Sequence, residues 1–280
     1  DTLLDSGLRD GLALPYECRN VACGLCICSL EQGSVEHRPY QKTALSDAQL
    51  ARGLALMCCA VPNGDVVITV DGFTGASAVA EPQYQARVVH RERLSDDVML
   101  LRLELPGGER LAFEAGQYID ILLDDGQRRA FSFANAPQNN ALIELHVRLV
   151  PGGRFTTHVF EGMQVGDTIT FEGPRGQFTL REGPQPILFI AGATGFAPIK
   201  SIVEDAFARG VTRPMRLYWG VRDSKDLYML ALCEQWQNAY DNFTVVPVVS
   251  EPGPGDGWTG RTGLVHEAML ADFPDLSGYE

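Results

Sequence analysis

The stretch CRNVACGLC occupies residues 18–26, and one further cysteine, Cys58, lies well downstream. A loop with the spacing C-x4-C-x2-C and one distant cysteine is typical of the four thiolates that hold a [2Fe–2S] cluster. Zinc is the alternative, but zinc sites more often contain two matched C-x2-C pairs, and only Cys23 and Cys26 have that spacing here. The sequence therefore predicts an iron–sulfur cluster held by Cys18, Cys23, Cys26 and Cys58.

The composition narrows the class of protein. The chain has 280 residues and a formal net charge of −13 at pH 7, which argues against nucleic acid or an anionic membrane as a partner. No apolar run is long enough to span a bilayer, and residues 1–10 do not resemble a secretory signal. Seven cysteines, four of them in the cluster pattern, suit a reducing compartment, so we expect a cytoplasmic protein. Cys28, Cys59 and Cys233 are predicted to be buried or half-buried thiols.

The first of three segments, residues 1–77, has mixed α and β character. Leucines at helical spacing predict a helix near the N-terminus, with Asp1 as a possible N-cap. The cysteine loop follows, then a possible short helix at residues 46–52 and a strand at residues 66–70. Small residues at 74–82 predict a linker to the next segment.

The other two segments have contrasting patterns. Residues 83–183 contain short strands separated by glycine and proline, which predicts an antiparallel β-barrel. Its expected strands are 84–90, 98–105, 118–123, 130–134, 142–149 and 168–172. Residues 184–280 alternate strands with helices, which predicts an α/β domain with a parallel sheet and helices on both faces. Its expected strands are 186–191, 215–220 and 243–249, and its expected helices are 196–209 and 227–240.

Two stretches in the barrel segment have the character of a phosphate site. Arg129-Ala130-Phe131-Ser132 lies on a predicted strand, where an arginine beside a serine is usually only part of a solvated face. Pro151-Gly152-Gly153-Arg154-Phe155-Thr156-Thr157 follows, and its double glycine at the start of a helix offers free backbone N–H groups to an anion. Arg129 can add a charge-assisted pair of hydrogen bonds to the same phosphate.

A third stretch predicts a nucleotide loop. Gly192-Ala193-Thr194-Gly195-Phe196-Ala197-Pro198 leaves a buried strand and enters a helix, with Pro198 near the first turn. Glycines at this point permit a tight turn and the close approach of a pyrophosphate. The stretch is not the G-x-G-x-x-G fingerprint, and a plain strand-to-helix turn is the alternative interpretation.

The order of these motifs resembles a known family. Ferredoxin cysteines, then R-x-[FY]-S, G-G-x-x-T and G-x-T-G-x-A-P, are similar to the modular NAD(P)H reductases of the ferredoxin–NADP reductase superfamily. The resemblance is strongest to members with an N-terminal ferredoxin domain, such as the CDP-6-deoxy-delta-3,4-glucoseen reductase and phenol hydroxylase reductase types. It implies a β-grasp-like [2Fe–2S] domain at residues 1–77, an FAD-binding barrel at residues 83–183 and an NAD-binding domain at residues 184–280.

The resemblance also implies roles for individual residues. Arg129 would grip the FAD pyrophosphate, Phe131 would stack on the isoalloxazine, and Ser132 would bond near flavin N5 and help seat the nicotinamide. Ser132 and Thr194 are the candidate catalytic residues. The other implied cofactor-binding residues are His146, Val147 and Arg148, through their backbone along the flavin, Gly153 and Thr156 at its phosphates, and Gly192, Thr194 and Gly195 at the dinucleotide. The side chains of His146 and His158, like Trp219 and Trp236, are predicted to be structural.

The choice of coenzyme is predicted from Ser250-Glu251, at the end of the third parallel strand. Relatives that use NADPH commonly place an arginine after that serine, where it pairs with the 2′-phosphate. Glu251 would repel a phosphate and could accept hydrogen bonds from ribose hydroxyls, so NADH is the expected coenzyme. The alternative is that Glu251 is a solvated loop acid.

The chain departs from the family pattern at three places. Val21 stands where relatives often have glycine, and a β-branched residue does not readily take positive φ, so we expect a strained or rearranged cluster loop. The family's opening β-hairpin and its closing strand with a Cys-Gly-Pro motif are both missing. We therefore expect a fragment shortened at both ends, with hydride transfer impaired.

The function implied by the resemblance is electron transfer from NADH through FAD and the [2Fe–2S] cluster to a protein acceptor. An oxygenase or a deoxysugar dehydrase would be that acceptor. A non-catalytic redox sensor or binding module that retains the three domains is the alternative, and a zinc-binding structural domain is a weaker one.

Overall fold

The computed structural model describes residues 1–16, 21, 23–71, 73, 75, 82–253, 255 and 257–280. Two compact units are present, Asp1–Pro82 and Gln83–Glu280. Cys18 and most of the predicted linker fall outside the described residues. Among the described helices, none has both the length and the apolar character needed to cross a membrane.

The first unit packs helix α1 (Leu3–Arg9) against small antiparallel sheets. Strands β1 (Ile27–Gln32), β3 (Leu54–Leu56) and β5 (Val67–Thr69) form one sheet in the order β3-β1-β5. Strands β2 (Val35–His37) and β4 (Ala60–Pro62) pair separately, and helix α2 (Asp47–Leu50) lies between β2 and β3 in the chain. The α+β prediction and the helix expected near residues 46–52 are confirmed.

The N-cap of α1 differs from the prediction. Thr2, not Asp1, is the N-cap, because its Oγ1 accepts a hydrogen bond from Asp5 N at 3.1 Å. Asp1 forms an ion pair with Arg9 instead.

The second unit begins with the antiparallel barrel. Its six strands lie in the order β10-β7-β6-β11-β8-β9. Phe133, directly after β9, forms a β-bridge with Leu145 of β10. The two edge strands of the sheet therefore meet. Helix α3 (Arg154–Glu161) buries Phe155, Val159 and Phe160 in the barrel core. The strands are β6 (Gln83–Arg93), β7 (Val98–Glu104), β8 (Tyr118–Leu122), β9 (Arg128–Ser132), β10 (Ile143–Arg148) and β11 (Thr168–Arg175).

The remainder of the second unit is a parallel sheet in the order β12-β13-β14-β15. Its long strands alternate with helices as predicted, and every paired register in it is parallel. The strands are β12 (Ile187–Gly192), β13 (Met215–Val221), β14 (Phe243–Val249) and β15 (Arg261–Thr262), and the helices are α4 (Phe196–Ala208), α5 (Leu230–Ala239) and α6 (Val265–Asp272).

Helices cover both faces of this sheet. On one face, Phe196 of α4 and Trp236 of α5 pack with Leu217 and Trp219 of β13. On the other face, Met269 of α6 packs with the neighbouring β13 residue Tyr218 and with β14. Successive residues of the three long strands therefore face opposite layers, and all but Arg216 and Thr244 are apolar, as expected for a sheet covered on both sides. This arrangement brings the carboxyl ends of the strands to one open edge.

Candidate flavin, nucleotide and cluster sites

Three of the four predicted cluster ligands lie in the described part of the chain. Cys23 is exposed, Cys26 is buried and Cys58 is half-buried, whereas Cys18 lies outside the described residues. The Cys26 and Cys58 side chains are within hydrogen-bonding reach of each other. That contact lowers the pKa of Cys58 to about 7, while the same contact and burial raise the pKa of Cys26. Ionisation of Cys58 is thus favoured over that of Cys26, and thiolates are the form that binds iron.

Val21 adopts the left-handed backbone conformation, which its β-branched side chain disfavours. Its φ is 55°, a region that β-branched residues rarely enter. In this conformation its carbonyl accepts from Gln41 N at 3.2 Å, and its backbone hydrogen-bonds to Cys58. The expected strain is therefore present, and it belongs to a residue whose backbone contacts a predicted cluster ligand.

Metal-binding side chains in the described residues do not form a compact single-ion site. No group of three or more His, Cys, Asp or Glu side chains there is placed to hold one metal ion. A diiron cluster spans more space than one ion, and Cys26 and Cys58 with the neighbouring Cys23 supply the soft thiolates that it requires. The other thiols, Cys28, Cys59 and Cys233, are buried as predicted.

The two predicted flavin stretches lie side by side. Phe131 of β9 and Phe155 of α3 have ring centroids 5.3 Å apart, and Arg154 forms an ion pair with Asp125 in the turn before β9. Arg129 is exposed, and its guanidinium donates to Gln127 Oε1 at 2.6 Å and to Arg128 O at 2.8 Å. Strand β9 and helix α3 are therefore in contact, and Arg129 lies on the strand that packs against this helix.

The loop before α3 requires its glycine. A Cβ on Gly153 would lie 2.7 Å from Thr156 Oγ1 and 3.0 Å from Val150 O. Thr156 is buried, and its hydroxyl accepts from Val150 N at 3.1 Å. Thr156 thus shapes the loop, and the backbone N–H groups at the start of the helix remain the natural donors to a phosphate. These residues fit the group that the sequence predicted.

A cleft of about 320 Å³ lies at the carboxyl ends of the parallel strands, between that sheet and the barrel. Ligands bind at this edge in open α/β sheets. A Cβ on Gly192 or Gly195 would meet no atom within 4 Å, so the loop leaves room for a close-lying ligand, and Thr194 lies between them. The cleft is lined by Asp97, Val98, Arg148, Gly192, Ala193, Gly220, Val221, Arg222, Asp226, Tyr228, Ser250, Gly263, Leu264 and Val265.

Several residues lining this cleft were not singled out in the sequence. Arg222 follows β13 at the carboxyl edge, a position that could have been inferred from the strand pattern. Tyr228 and Asp226 come from the turn before α5, and Asp97 comes from the barrel, so no local motif marks them. Glu251 is exposed and its N–H donates to Arg222 O at 2.8 Å, but Ser250, not Glu251, lines the cleft.

The residues predicted along β10 have different environments. Val147 is buried in the barrel core, so only its backbone can contact a cofactor. Arg148 lines the cleft, where its Nε donates to Asp97 Oδ2 at 2.7 Å. His146 is buried behind the cleft, with Nδ1 3.0 Å from the Tyr228 hydroxyl and no hydrogen-bond partner at Nε2. Burial lowers the pKa of His146, so its ring is neutral.

Comparisons with known proteins agree with the three predicted cofactors. Family models match in the same order: a 2Fe-2S iron-sulfur cluster binding domain at residues 1–63, an oxidoreductase FAD-binding domain at residues 85–180 and an oxidoreductase NAD-binding domain at residues 189–279. These matches assign [2Fe–2S], FAD and NADH as the cofactors and favour iron–sulfur over the zinc alternative.

Curated relatives match over nearly the whole chain. The CDP-6-deoxy-L-threo-D-glycero-4-hexulose-3-dehydrase reductase of Yersinia pestis is 37% identical over 99% of this chain and 82% of its own length. The terephthalate 1,2-dioxygenase reductase component 2 of a Comamonas species is 36% identical over 98% of this chain and 81% of its own length. The first name describes the reductase of a dehydrase, and the second describes the reductase component of a dioxygenase.

Solved structures show the same architecture. A cytochrome P450 reductase from Amycolatopsis has a TM-score of 0.73 and 34% identity, covering 100% of this chain and 84% of its own. The ferredoxin reductase of carbazole 1,9a-dioxygenase has a TM-score of 0.71 and 27% identity, covering 100% and 83%. The chain therefore belongs to the flavin-dependent NAD(P)H reductases with an N-terminal [2Fe–2S] ferredoxin domain, within the ferredoxin–NADP reductase superfamily.

Proposed function

We propose that this protein is the reductase component of a multi-protein enzyme and delivers electrons from NADH to a protein acceptor. The observation that carries the proposal is the cleft between barrel and parallel sheet, which lies beside the predicted nucleotide loop and is walled on its other side by Asp97 and Arg148 of the barrel. Bound FAD would supply two-electron hydride chemistry toward NADH and one-electron transfer toward the cluster.

The chain's own residues have positioning roles in this proposal. Arg129 binds the FAD diphosphate together with the backbone N–H groups that follow Gly153. Phe131 packs against the flavin ring, and Ser132 hydrogen-bonds to it and limits where the nicotinamide lies. Thr194, with Gly192 and Gly195 on either side, seats the dinucleotide in the cleft.

For the coenzyme, we propose that Glu251 favours NADH. It lies directly after Ser250, which lines the cleft, and its carboxylate would repel a 2′-phosphate. Arg222 and Arg148 line the same cleft and supply positive charge that is compatible with the pyrophosphate common to both coenzymes.

For the acceptor, we propose either a deoxysugar dehydrase or an aromatic-ring oxygenase, because the relatives described above are named as components of such systems. Reconstitution decides between them. Purified protein would be mixed with a dehydrase and, separately, with an oxygenase component, and NADH-dependent product formation would be measured. The domains at residues 1–77, 83–183 and 184–280 would then correspond to acceptor-side cluster, flavin and coenzyme modules.

Anaerobic titration tests the function itself. Addition of NADH to the purified holoprotein should bleach flavin and cluster absorbance together, and NADH should support reduction of ferricyanide or cytochrome c. Holoprotein that contains flavin and cluster but is not reduced by NADH would instead favour the alternative of a non-catalytic redox module.

A further inference from the structure

Helix α4 begins at the nucleotide loop and places polar side chains against the barrel. Lys200 is only 6% exposed and Ser201 is fully buried. Lys200 Nζ donates to Ala134 O at 2.8 Å, and Ser201 Oγ donates to Asn135 O at 2.7 Å. Both carbonyl groups lie just beyond the stretch at residues 129–132 that carries the flavin motif, two and three residues after Ser132. Two successive side chains of one helix thus bond to two successive backbone groups of the barrel.

The ammonium group of Lys200 also forms two ion pairs. Its Nζ also lies 3.2 Å from Glu144 Oε1 of β10 and 3.0 Å from Glu204 Oε1 of its own helix. Arg102 Nε donates to the other oxygen of Glu144 at 3.1 Å. Burying an ammonium group is costly, and an apolar side chain would pack here at lower cost. A buried ion network therefore contributes geometric specificity more than stability at this position.

The start of α4, one turn before Lys200, contacts the nucleotide loop. Ala193 has φ +46°, and its carbonyl accepts from Trp219 Nε1 at 3.0 Å. The first residue of α4, Phe196, stacks on the same Trp219 ring with centroids 4.1 Å apart. Lys200 and Ser201 lie little more than one turn after Phe196, so the contacts with the nucleotide loop and with the barrel belong to one short stretch of helix.

We infer that Lys200 and Ser201 are positioning residues that set the distance between the nucleotide loop and the flavin-motif strand. This inference rests on the proposed function, because hydride transfer is the step that depends on that distance. Reacting atoms must lie about 3–3.5 Å apart, and a displacement of about 1 Å can cost a hundredfold in rate. Neither residue touches the cleft, so neither is a catalytic residue.

Single-turnover kinetics of holoprotein test the inference. Lys200→Met and Ser201→Ala would be mixed anaerobically with saturating NADH while flavin absorbance is followed. We expect the limiting rate of flavin reduction to fall about tenfold or more in Lys200→Met and less in Ser201→Ala. The apparent Kd for NADH should stay within about threefold, and the charge-transfer band of the nicotinamide–flavin complex should weaken.

A double variant and a measurement on flavin-free protein distinguish the proposed positioning role from simple misfolding of the variants. Lys200→Met combined with Glu204→Gln removes the ion pair without leaving that carboxylate unpaired. In flavin-free protein, amide hydrogen exchange at residues 192–196 should become faster in all three variants. Arg209→Gln is the matched control, since it breaks ion pairs with Asp205 and Glu182 at the far end of α4 and should keep the parent rate.

The outcomes separate this inference from the proposed function. A parent protein that NADH cannot reduce would refute the proposed function. A parent that is reduced, with Lys200→Met and the double variant reduced equally fast, would overturn the inference. So would loss of flavin, or a weakened Kd that accounts for the whole loss of rate, because either would mean a general structural role.

Discussion

Two residues in the predicted site loops adopt backbone conformations that their side chains disfavour. Val21 has φ 55° in the cluster loop and Ala193 has φ 46° in the nucleotide loop, and they are the positive-φ non-glycine residues in the described part of the chain. Such strain persists only where surrounding contacts hold it, and it is concentrated at functional loops. At both residues a backbone carbonyl is held by a hydrogen bond, from Gln41 N and from Trp219 Nε1 respectively.

Val21→Gly should stabilise the first unit by about 0.5 kcal/mol. Relief of the left-handed conformation gains about 1–2 kcal/mol, and most of this is offset by the greater freedom of glycine in the unfolded chain and by lost packing. Urea unfolding followed by cluster absorbance measures the change. Val35→Gly, at a half-buried strand position, is the control and should destabilise by about 1 kcal/mol. Equal losses in the two variants would contradict the strain at Val21.

Glu251→Arg should shift coenzyme preference toward NADPH. The arginine would pair with the 2′-phosphate beside Ser250, and the repulsive carboxylate would be removed. We expect the ratio of kcat/KM for NADPH to that for NADH to rise about tenfold or more, as one charge-assisted contact of about 1.5–3 kcal/mol allows. Glu251→Gln is the control and should give a smaller rise. An unchanged ratio in Glu251→Arg would mean that Glu251 is only a solvated loop acid.

At the scale of elements, sequence pattern located the long strands of the second unit well, but it missed β1 to β4 of the first unit, the short strand β15 and the last helix. Strand β14 has the predicted bounds, because an unbroken apolar run identifies a strand buried on both faces. Helix α6 was missed: Leu264, its N-cap, provides no side-chain cap, and its apolar residues are not confined to one face. The predicted strand at 130–134 begins earlier, at Arg128, because Arg128 and Arg129 pair with Leu122 and Ile121 across the sheet.

The predicted phosphate site at the start of α3 depends on the backbone of the loop and helix more than on side chains. Gly153→Ala should weaken flavin binding and destabilise the second unit by about 1–3 kcal/mol, because the new Cβ would lie 2.7 Å from Thr156 Oγ1. Flavin content after purification and the urea midpoint measure these effects. Gly278→Ala is the control, since a Cβ there meets no atom within 4 Å. Retention of full flavin content by Gly153→Ala would argue against this loop as the phosphate site.

At the scale of the whole molecule, the sequence revealed each motif but not how motifs in the second unit meet. Residues 129–132 and 192–198 were singled out by their order along the chain and by the double glycine at 152–153, because each stretch alone is ambiguous. The contact of Lys200 with Ala134 and the position of His146 behind Tyr228 depend on packing between the barrel and the parallel sheet. No local pattern encodes such contacts, so the ionic network around Glu144 could not be predicted.

His146 should make the second unit less stable in mild acid. The ring lies between Tyr228, 3.0 Å from Nδ1, and Glu144, 3.7 Å from Nε2, with Lys200 beyond. Burial lowers the pKa of His146 despite the nearby Glu144 carboxylate. The unfolded chain therefore binds a proton near pH 6.5 that the folded chain does not, so stability is lost as the pH falls below 6.5.

The unfolded chain binds at most one more proton at His146 than the folded chain, and this limits the loss of stability. Between pH 6.5 and 5, the free energy of unfolding should fall with a contribution from His146 of up to about 1.4 kcal/mol per pH unit. His146→Phe should remove that contribution, whereas His90→Gln, at an exposed position, should keep it. Urea unfolding of the second unit at several pH values gives both slopes. Equal slopes in the parent and in His146→Phe would mean that the buried ring is protonated in the folded protein, and the ion pair with Glu144 would then outweigh burial.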